Sequence, residues 1–459
     1  MLLETFTYNK PCGWHGFTAH RIALVFALSI SQPALSTDLL SAYQDALAYD
    51  AQYTAARANR NAGIEKLPQA RAGLLPTLQV SANSQMNNQD SLLRVDNTQP
   101  LNARHNSNGW NVQLSQPLFR WQNWLAYTQA ELATAASELE FQHAQQELML
   151  RVAQAYFEVL LAEEAVATTD AQISATQEQL AVAQKSFELG AATITDTHEA
   201  QARLDLATAQ SLAAQSELLF KQQTLQTLTG KSATAVKRLR KHLALNRPQP
   251  DDAAQWADMA SSSNLLVLVR QSSSEIAGRE VDKQRAGHYP SVDLVASRGN
   301  SATGNSIAYG ILRPGSDVDT TTVGVQLTMP IFAGGSVSSK QREAVALKEK
   351  ALAELEHARR TATLGARQAY LGISSGLAQI RAYEAALTSS QSSVDSNKLG
   401  YQVGVRINID VLNAQSQLYE TRQKLAKARI ETLLSQLKLK SAAGNLSEDD
   451  LRAINGMLE

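Results

Sequence analysis

Between Pro117 and Pro248 the chain contains no proline, and the first glycine after Pro117 is Gly190. Proline removes an amide donor and clashes with the preceding turn, and glycine costs about 1 kcal/mol against alanine in a helix interior. A stretch free of both and rich in Ala, Gln, Glu and Leu predicts one helix of roughly 70 residues, about 100 Å long. Pro330 is the last proline, and the run from Gly334-Gly335 to Gly400 predicts a second helix of similar reach, less uniform because of Gly365, Gly372 and Gly376. Apolar residues in the first run recur at mixed threes and fours, as in Leu139, Ala144, Leu148, Val152, Ala155, Val159 and Val166. That stripe is wider than a two-stranded seam and suits neighbours on two sides. No run is apolar enough to cross a membrane as a helix, so the rods are expected to stand in water, packed side by side.

Each rod ends in the same way. Phe187-Glu-Leu-Gly190-Ala-Ala-Thr-Ile-Thr195-Asp196-Thr-His-Glu199-Ala-Gln201 returns 214 positions later as Tyr401-Gln-Val-Gly404-Val-Arg406-Ile-Asn-Ile-Asp410-Val-Leu-Asn413-Ala-Gln415. In both, a long helix runs into an aromatic, a glycine able to take positive φ, a short polar turn, and an Asp opening the next helix. Arg71-Ala-Gly73-Leu-Leu-Pro76 repeats as Arg285-Ala-Gly287-His-Tyr-Pro290 and Gln154-Ala-Tyr156 as Gln368-Ala-Tyr370 at the same offset; Val112-Gln-Leu-Ser-Gln-Pro117 repeats as Val325-Gln-Leu-Thr-Met-Pro330 with one residue fewer. Gly230 and Gly444 close the copies. A period this long exceeds any solenoid unit, so the chain reads as two tandem halves of one architecture.

Ahead of each rod lie segments of period two. Thr77-Leu-Gln-Val80-Ser-Ala82 and Trp110-Asn-Val112-Gln-Leu114 belong to the first half, and Ser291-Val292-Asp-Leu294-Val-Ala296 and Thr322-Val323-Gly-Val325-Gln-Leu327 to the second. One face is apolar and the other carries Ser, Asn, Gln, Thr and Asp, as in an outer-membrane barrel wall or in any half-buried antiparallel strand. Four strands cannot close a membrane barrel, whose minimum is about eight, so a barrel here needs several chains. The joining segments, about Met86–Asn108 and Asn300–Asp319, are rich in Asn, Ser, Gly and Asp and are expected as exposed loops. Pro117 and Pro330 are expected at strand ends.

At the N-terminus, His20-Arg21 precedes an apolar core of about nine residues, Ile22 to Ile30, and Pro33-Ala-Leu-Ser36 supplies a small-x-small site. The pattern predicts a secretory signal too short to span a bilayer, with a buried helix as the alternative and the true start codon left open. The only cysteine, Cys12, precedes the apolar run, which argues against a lipoprotein site and against disulfide chemistry in the body. A formal net charge of -1 gives no reason to expect a nucleic-acid partner, and the run Lys237-Arg238-Leu-Arg240-Lys241-His242 reads as a solvated face of the linker between the halves. Eight histidines are scattered, with no metal-ligand spacing, nucleophile motif or phosphate loop. Glu163-Glu164 and Asp449-Asp450 read as solvated pairs. No enzyme, cofactor or metal is expected.

The order helix with Arg-Ala-Gly-x-x-Pro, strand, loop, strand ending in Gln-Pro-Leu-Phe119 or Met-Pro-Ile-Phe332-Ala-Gly-Gly, long helix, glycine hairpin, helix, written twice, resembles the TolC family of outer-membrane channel-tunnels over nearly all of the chain after Thr37. The resemblance implies a mainly α fold with a small β part: an antiparallel coiled-coil tunnel, and a trimeric twelve-stranded transmembrane barrel with four strands per chain. It implies a signal peptide over 1–36 and a first repeat over 37–230, with strands 77–86 and 109–117, long helix 120–189 and hairpin helix 196–229. A linker at the tunnel's equator would occupy 231–262. The second repeat, 263–444, would hold strands 291–299 and 320–330, long helix 336–402 and hairpin helix 409–443, and 445–459 a C-terminal equatorial segment.

Carried over by position, the resemblance implies that Tyr401 and Arg406 lock a closed periplasmic entrance against Thr195 and Asp196 of a neighbouring hairpin. Charge pairing of Arg406 with Asp196 and a hydrogen bond from Tyr401 make chemical sense of this; simple helix capping by Asp196 and by Asp410 is the competing reading. Asp410 would form a carboxylate ring at the pore constriction, raising one another's pKa and attracting cations. Asn413 stands where the family prototype has a second Asp, so selectivity should be weaker. The implied partners are a homotrimer, a periplasmic adaptor (membrane fusion protein), an inner-membrane ABC or proton-driven transporter, and outer-membrane lipid. The implied role is the exit duct of a tripartite system, for type I protein secretion or multidrug efflux, in the outer membrane with a periplasmic extension. A non-conducting coiled-coil scaffold is the alternative from another class.

Overall fold

A computed structural model describes residues 37–91, 101–232, 235–240, 245–308 and 311–459. The expected leader over 1–36 with Cys12, and Lys241 and His242 of the basic run, lie outside them. The first half comprises α1 (Leu39–Tyr49), α2 (Ala51–Ile64), α3 (Lys66–Ala72), β1 (Thr77–Ser91), β2 (Leu101–Phe119), α4 (Trp121–Glu188) and α5 (Ile194–Thr229). The second comprises α6 (Ala253–Ser263), α7 (Leu265–Arg285), β3 (Ser291–Thr303), β4 (Ser306–Ala308), β5 (Ile311–Arg313), β6 (Ser316–Thr328), α8 (Ser336–Gln402) and α9 (Asn408–Ala442), and α10 (Glu448–Asn455) follows.

α4 has 68 residues and α8 has 67, each about 100 Å of continuous helix. Pairs of shorter helices, α1–α2 before α4 and α6–α7 before α8, lie against their upper parts, while α5 and α9 return along their lower parts. Among the described residues no helix is long and apolar enough to cross a membrane.

β1, β2, β3 and β6 form one antiparallel sheet in that order, so β1 and β6 are edges with no partner strand among the described residues. The register aligns the period-two pattern across all four strands. Leu78 lies opposite Leu114, Leu114 opposite Ala296, and Ala296 opposite Val323, a continuous apolar row. One residue along, Gln79, Gln113, Ser297 and Thr322 make the matching polar row on the other face.

The strands run further than the sequence pattern indicated. Most of Met86–Asn108 and Asn300–Asp319 is strand or short hairpin instead of exposed loop, and β6 ends at Thr328, before Pro330. Pro117 sits inside β2 at an irregularity in its pairing with β3, where a missing amide is tolerated. Beyond Trp110 both faces carry Asn, Ser and Gln, so side-chain alternation vanishes although the backbone ladder continues: Asn87 still pairs with His105 and Asn88 with Arg104. Backbone pairing has no need of apolar side chains.

The largest core lies midway along the rods. Leu39, Tyr43, Leu148, Val152, Tyr156, Phe157, Leu160, Leu433, Leu437 and Leu451 are buried together. Linker and chain end are stitched to it through backbone groups: Lys237 N–H donates to Thr37 O at 3.2 Å, and Arg238 N–H to Glu459 O at 3.1 Å. The Tyr156 hydroxyl donates to the carbonyls of Thr37 and Lys237. The two expected solvated acid pairs are each only half so. Glu163 is half-buried and accepts from Val236 N–H at 3.3 Å, and Asp450 accepts from Ser447 N–H at 2.9 Å in the Ser447 capping box and pairs with Lys440.

Candidate functional site at the hairpin tips

Both hairpins turn through the same backbone device. Gly190 and Gly404 take φ of 72° and 76°, a region costly for residues with a Cβ. The following amide reaches back a full turn, Ala191 to Ser186 O at 2.8 Å and Val405 to Gly400 O at 2.9 Å, while the glycine amides bond Phe187 O and Tyr401 O. This is the Schellman closure of a helix end.

The returning helices start two residues before their aspartates, because neither Asp is the cap. Thr193 caps α5: its hydroxyl accepts from Asp196 N–H, and the Asp196 carboxylate accepts from Thr193 N–H at 2.9 Å, a reciprocal box with Asp196 at the third helical position. In the second copy the cap position is Ile407, which offers no side-chain acceptor. Asp410 instead stands 3.6 Å from the guanidinium of Arg406, one turn before it.

Within one protomer the expected gate residues are only partly brought together. Arg406 meets Asp410 and not Asp196. The Tyr401 hydroxyl is enclosed without a hydrogen-bond partner among the described residues. Thr195 is exposed beside the turn. Asn413 accepts from Arg203 Nη2 at 2.9 Å.

Sequence reasoning missed the contacts that join the two hairpins. Asn408, with no exposed surface, accepts from Gln179 Nε2 at 2.7 Å and donates to Asp196 O at 3.0 Å, linking α9 to both α4 and α5. Lys398 of α8 lies 3.6 Å from Glu178 of α4. Tyr419 donates to Ala171 O at 3.0 Å under the Arg422 guanidinium, and burial pushes its phenol up in pKa, with Arg422 opposing. Among the described residues the tips hold a small buried apolar cluster, Leu180, Ala200 and Leu412 with Leu204 and Ile409 packed against it, so polar contacts carry much of the adhesion there. The signal for Asn408 was in the repeat itself: the first copy has Ile194 at that place.

A profile described as outer membrane efflux protein matches residues 42–231 and 256–445, both halves. The chain belongs to the outer membrane efflux protein family. This outer membrane efflux protein is 33% identical over 436 residues to outer membrane protein TolC of Escherichia coli strain K12, covering 94% of this chain and 86% of the relative. It is 31% identical over 440 residues to the proteases secretion protein PrtF of Dickeya chrysanthemi, covering 94% and 93%. Its fold matches the crystal structure of the outer membrane protein VceC from Vibrio cholerae with a TM-score of 0.75 at 20% identity, over 88% of this chain and 96% of that one. It is thus an outer-membrane exit duct, its relatives are channels and not enzymes, and the scaffold alternative falls.

Proposed function

We propose that three copies of this efflux protein close into one duct, the exit of a tripartite export machine that performs no catalysis itself. The observation that carries this is the four-stranded sheet with both edges unpaired among the described residues and one apolar face. Pairing β6 of one copy with β1 of the next gives twelve strands, enough to enclose a lumen, and leaves no edge exposed in lipid. The apolar rows then face lipid and the Gln, Ser and Thr rows face the lumen.

The hairpin tips form the entrance at the far end of the rods. Asp410 provides a three-fold carboxylate ring, with uncharged Asn413 one turn along, and Arg406 and Tyr401 meet Thr195 and Asp196 of the neighbouring copy. Two features support a tip with a second arrangement. Arg406 is exposed and its ion pair at 3.6 Å leaves most of its donors unused, and the enclosed Tyr401 hydroxyl lacks an acceptor among the described residues, a cost of about 1–3 kcal/mol that another arrangement relieves. A periplasmic adaptor with its ABC or proton-driven transporter opens the tips by binding the open arrangement better. A relative named for protease secretion favours protein cargo by the type I route, and the family description keeps small-molecule efflux as the second reading.

The test is single-channel recording of the detergent-extracted protein in planar bilayers. Small wild-type steps that enlarge in Tyr401→Phe/Arg406→Ser support the gated duct. Equal steps in both place the gate elsewhere, and a protein that needs no detergent and never conducts removes the duct.

A further inference from the structure

Arg203 of α5 reaches across the hairpin interface to Asn413 of α9, its Nη2 donating to Oδ1 at 2.9 Å in an exposed contact. Asn413 follows Asp410 by one turn, so the two share a helix face about 5 Å apart along the axis. Whatever faces Asp410 also faces the guanidinium tied to Asn413. Arg203 forms no ion pair with a carboxylate among the described residues; Glu199 lies one turn back on its own helix without pairing to it. The nearby Lys398 is already matched by Glu178, and Asp196 is turned into the Thr193 cap. The cationic head of Arg203 therefore stands one helical turn from the level of Asp410, without a carboxylate of its own, while the long 3.6 Å pair of Asp410 is made with Arg406.

We infer that Arg203 is a selectivity-determining residue of the duct, a cation held by Asn413 one turn from the Asp410 carboxylates that offsets their attraction for cations. The inference rests on the proposed placing of Asp410 at the constriction. In a trimer the acidic ring acquires a basic ring beside it, so the lumen there is charge-mixed and selects weakly between small cations and anions. The tie to Asn413 matters because it fixes a long, flexible side chain near the ring, where a unit charge acts within a Debye length of about 10 Å at 0.1 M salt.

The experiment compares potassium and chloride permeabilities, from reversal potentials in a potassium chloride gradient, for the full-length protein and three variants. Arg203→Gln should raise the potassium-to-chloride ratio by about fivefold, the effect of one charge at about 8 Å in water acting with opposite sign on the two ions. Arg203→Lys should keep the wild-type ratio, and Asp410→Asn should lower it. A ratio unmoved in Arg203→Gln beside a fall in Asp410→Asn overturns the inference and leaves the constriction in place; ratios unmoved in both overturn the constriction reading. Arg203→Cys removes dependence on comparing separately folded variants, since the sequence has no cysteine after Cys12. In one open channel, coupling a trimethylammonium reagent should return the ratio toward wild type and a sulfonate reagent should raise it further, whereas equal ratios with both reagents overturn the proposal.

Discussion

Gln179 of α4 donates its side-chain amide to Asn408 Oδ1 at 2.7 Å, in a place where Asn408 has no exposed surface. Because Asn408 also donates to the Asp196 carbonyl, one side chain holds three helices at the tip. Asn408→Leu keeps the branched shape but leaves the Gln179 amide without its acceptor and the Asp196 carbonyl with only its helical bond, at about 1–3 kcal/mol for the stranded amide. Amide hydrogen exchange in 176–200 and 408–415 should accelerate, and channel steps should grow. Unchanged exchange at the tips would mean that the apolar cluster alone holds them.

A second carboxylate contact supports the rods further up. Burial pushes the Asp50 carboxyl up, but two hydrogen bonds from Arg151 at 3.0 Å and the Tyr53 amide outweigh it and hold the pKa below the ordinary 3.8. The folded state thus binds fewer protons than the unfolded one near that pH, so this stabilisation is present above 3.8 and is lost as pH falls through the lower folded value. Asp50→Asn should cost about 3 kcal/mol at neutral pH, since it strands a largely buried guanidinium. Thermal midpoints in detergent between pH 2 and 6 should fall more steeply for wild type than for the variant.

Glu163 has the opposite sign. Burial pushes its carboxyl above the ordinary 4.5, with Val236 N–H and Arg238 opposing. The folded state binds more protons here, so the stabilisation is fully present below 4.5 and is lost as pH rises through the raised folded value. Glu163→Gln retains an acceptor for Val236 and removes the charge that burial disfavours. Its thermal midpoint should exceed that of wild type at pH 7 and match it at pH 4. A lower midpoint at pH 7 would show that the Arg238 interaction dominates.

Fold class was legible because its determinants are local. Pro117 and Gly190 bracket α4 closely, and the absence of breakers between them is a property of the sequence alone. The outer parts of β1 and β2 were illegible for a reason equally physical: with polar side chains on both faces, Asn87 and His105 pair through backbone groups that leave no apolar period. At the site, the turn glycines showed in the repeat, while Asp196 looked like a cap and proved to be the third residue of the Thr193 box. Glu163 looked solvated on its helix because burial there comes from Val236, which lies in the distant linker. Arg203 and Asn413 are 210 positions apart, a separation that no helical spacing reveals.

The glycines of α8 make a paired test of close packing. A Cβ at Gly376 would fall 2.2 Å from Thr432 Oγ1, and Thr432 is 1% exposed with its hydroxyl bonded to Ala428 O at 2.7 Å, so it has little room to yield. A Cβ at Gly365, on the same helix, would meet nothing within 4 Å. Gly376→Ala should therefore destabilise by about 1–3 kcal/mol through overpacking, while Gly365→Ala should stabilise by up to about 1 kcal/mol through helix propensity. Thr432→Ala should restore much of the loss in the Gly376→Ala background, with a coupling energy of about 0.5–3 kcal/mol, and should show no coupling to Gly365→Ala. If both alanines stabilise equally, α8 and α9 stand further apart at this level than the contact requires, and propensity alone sets the effect.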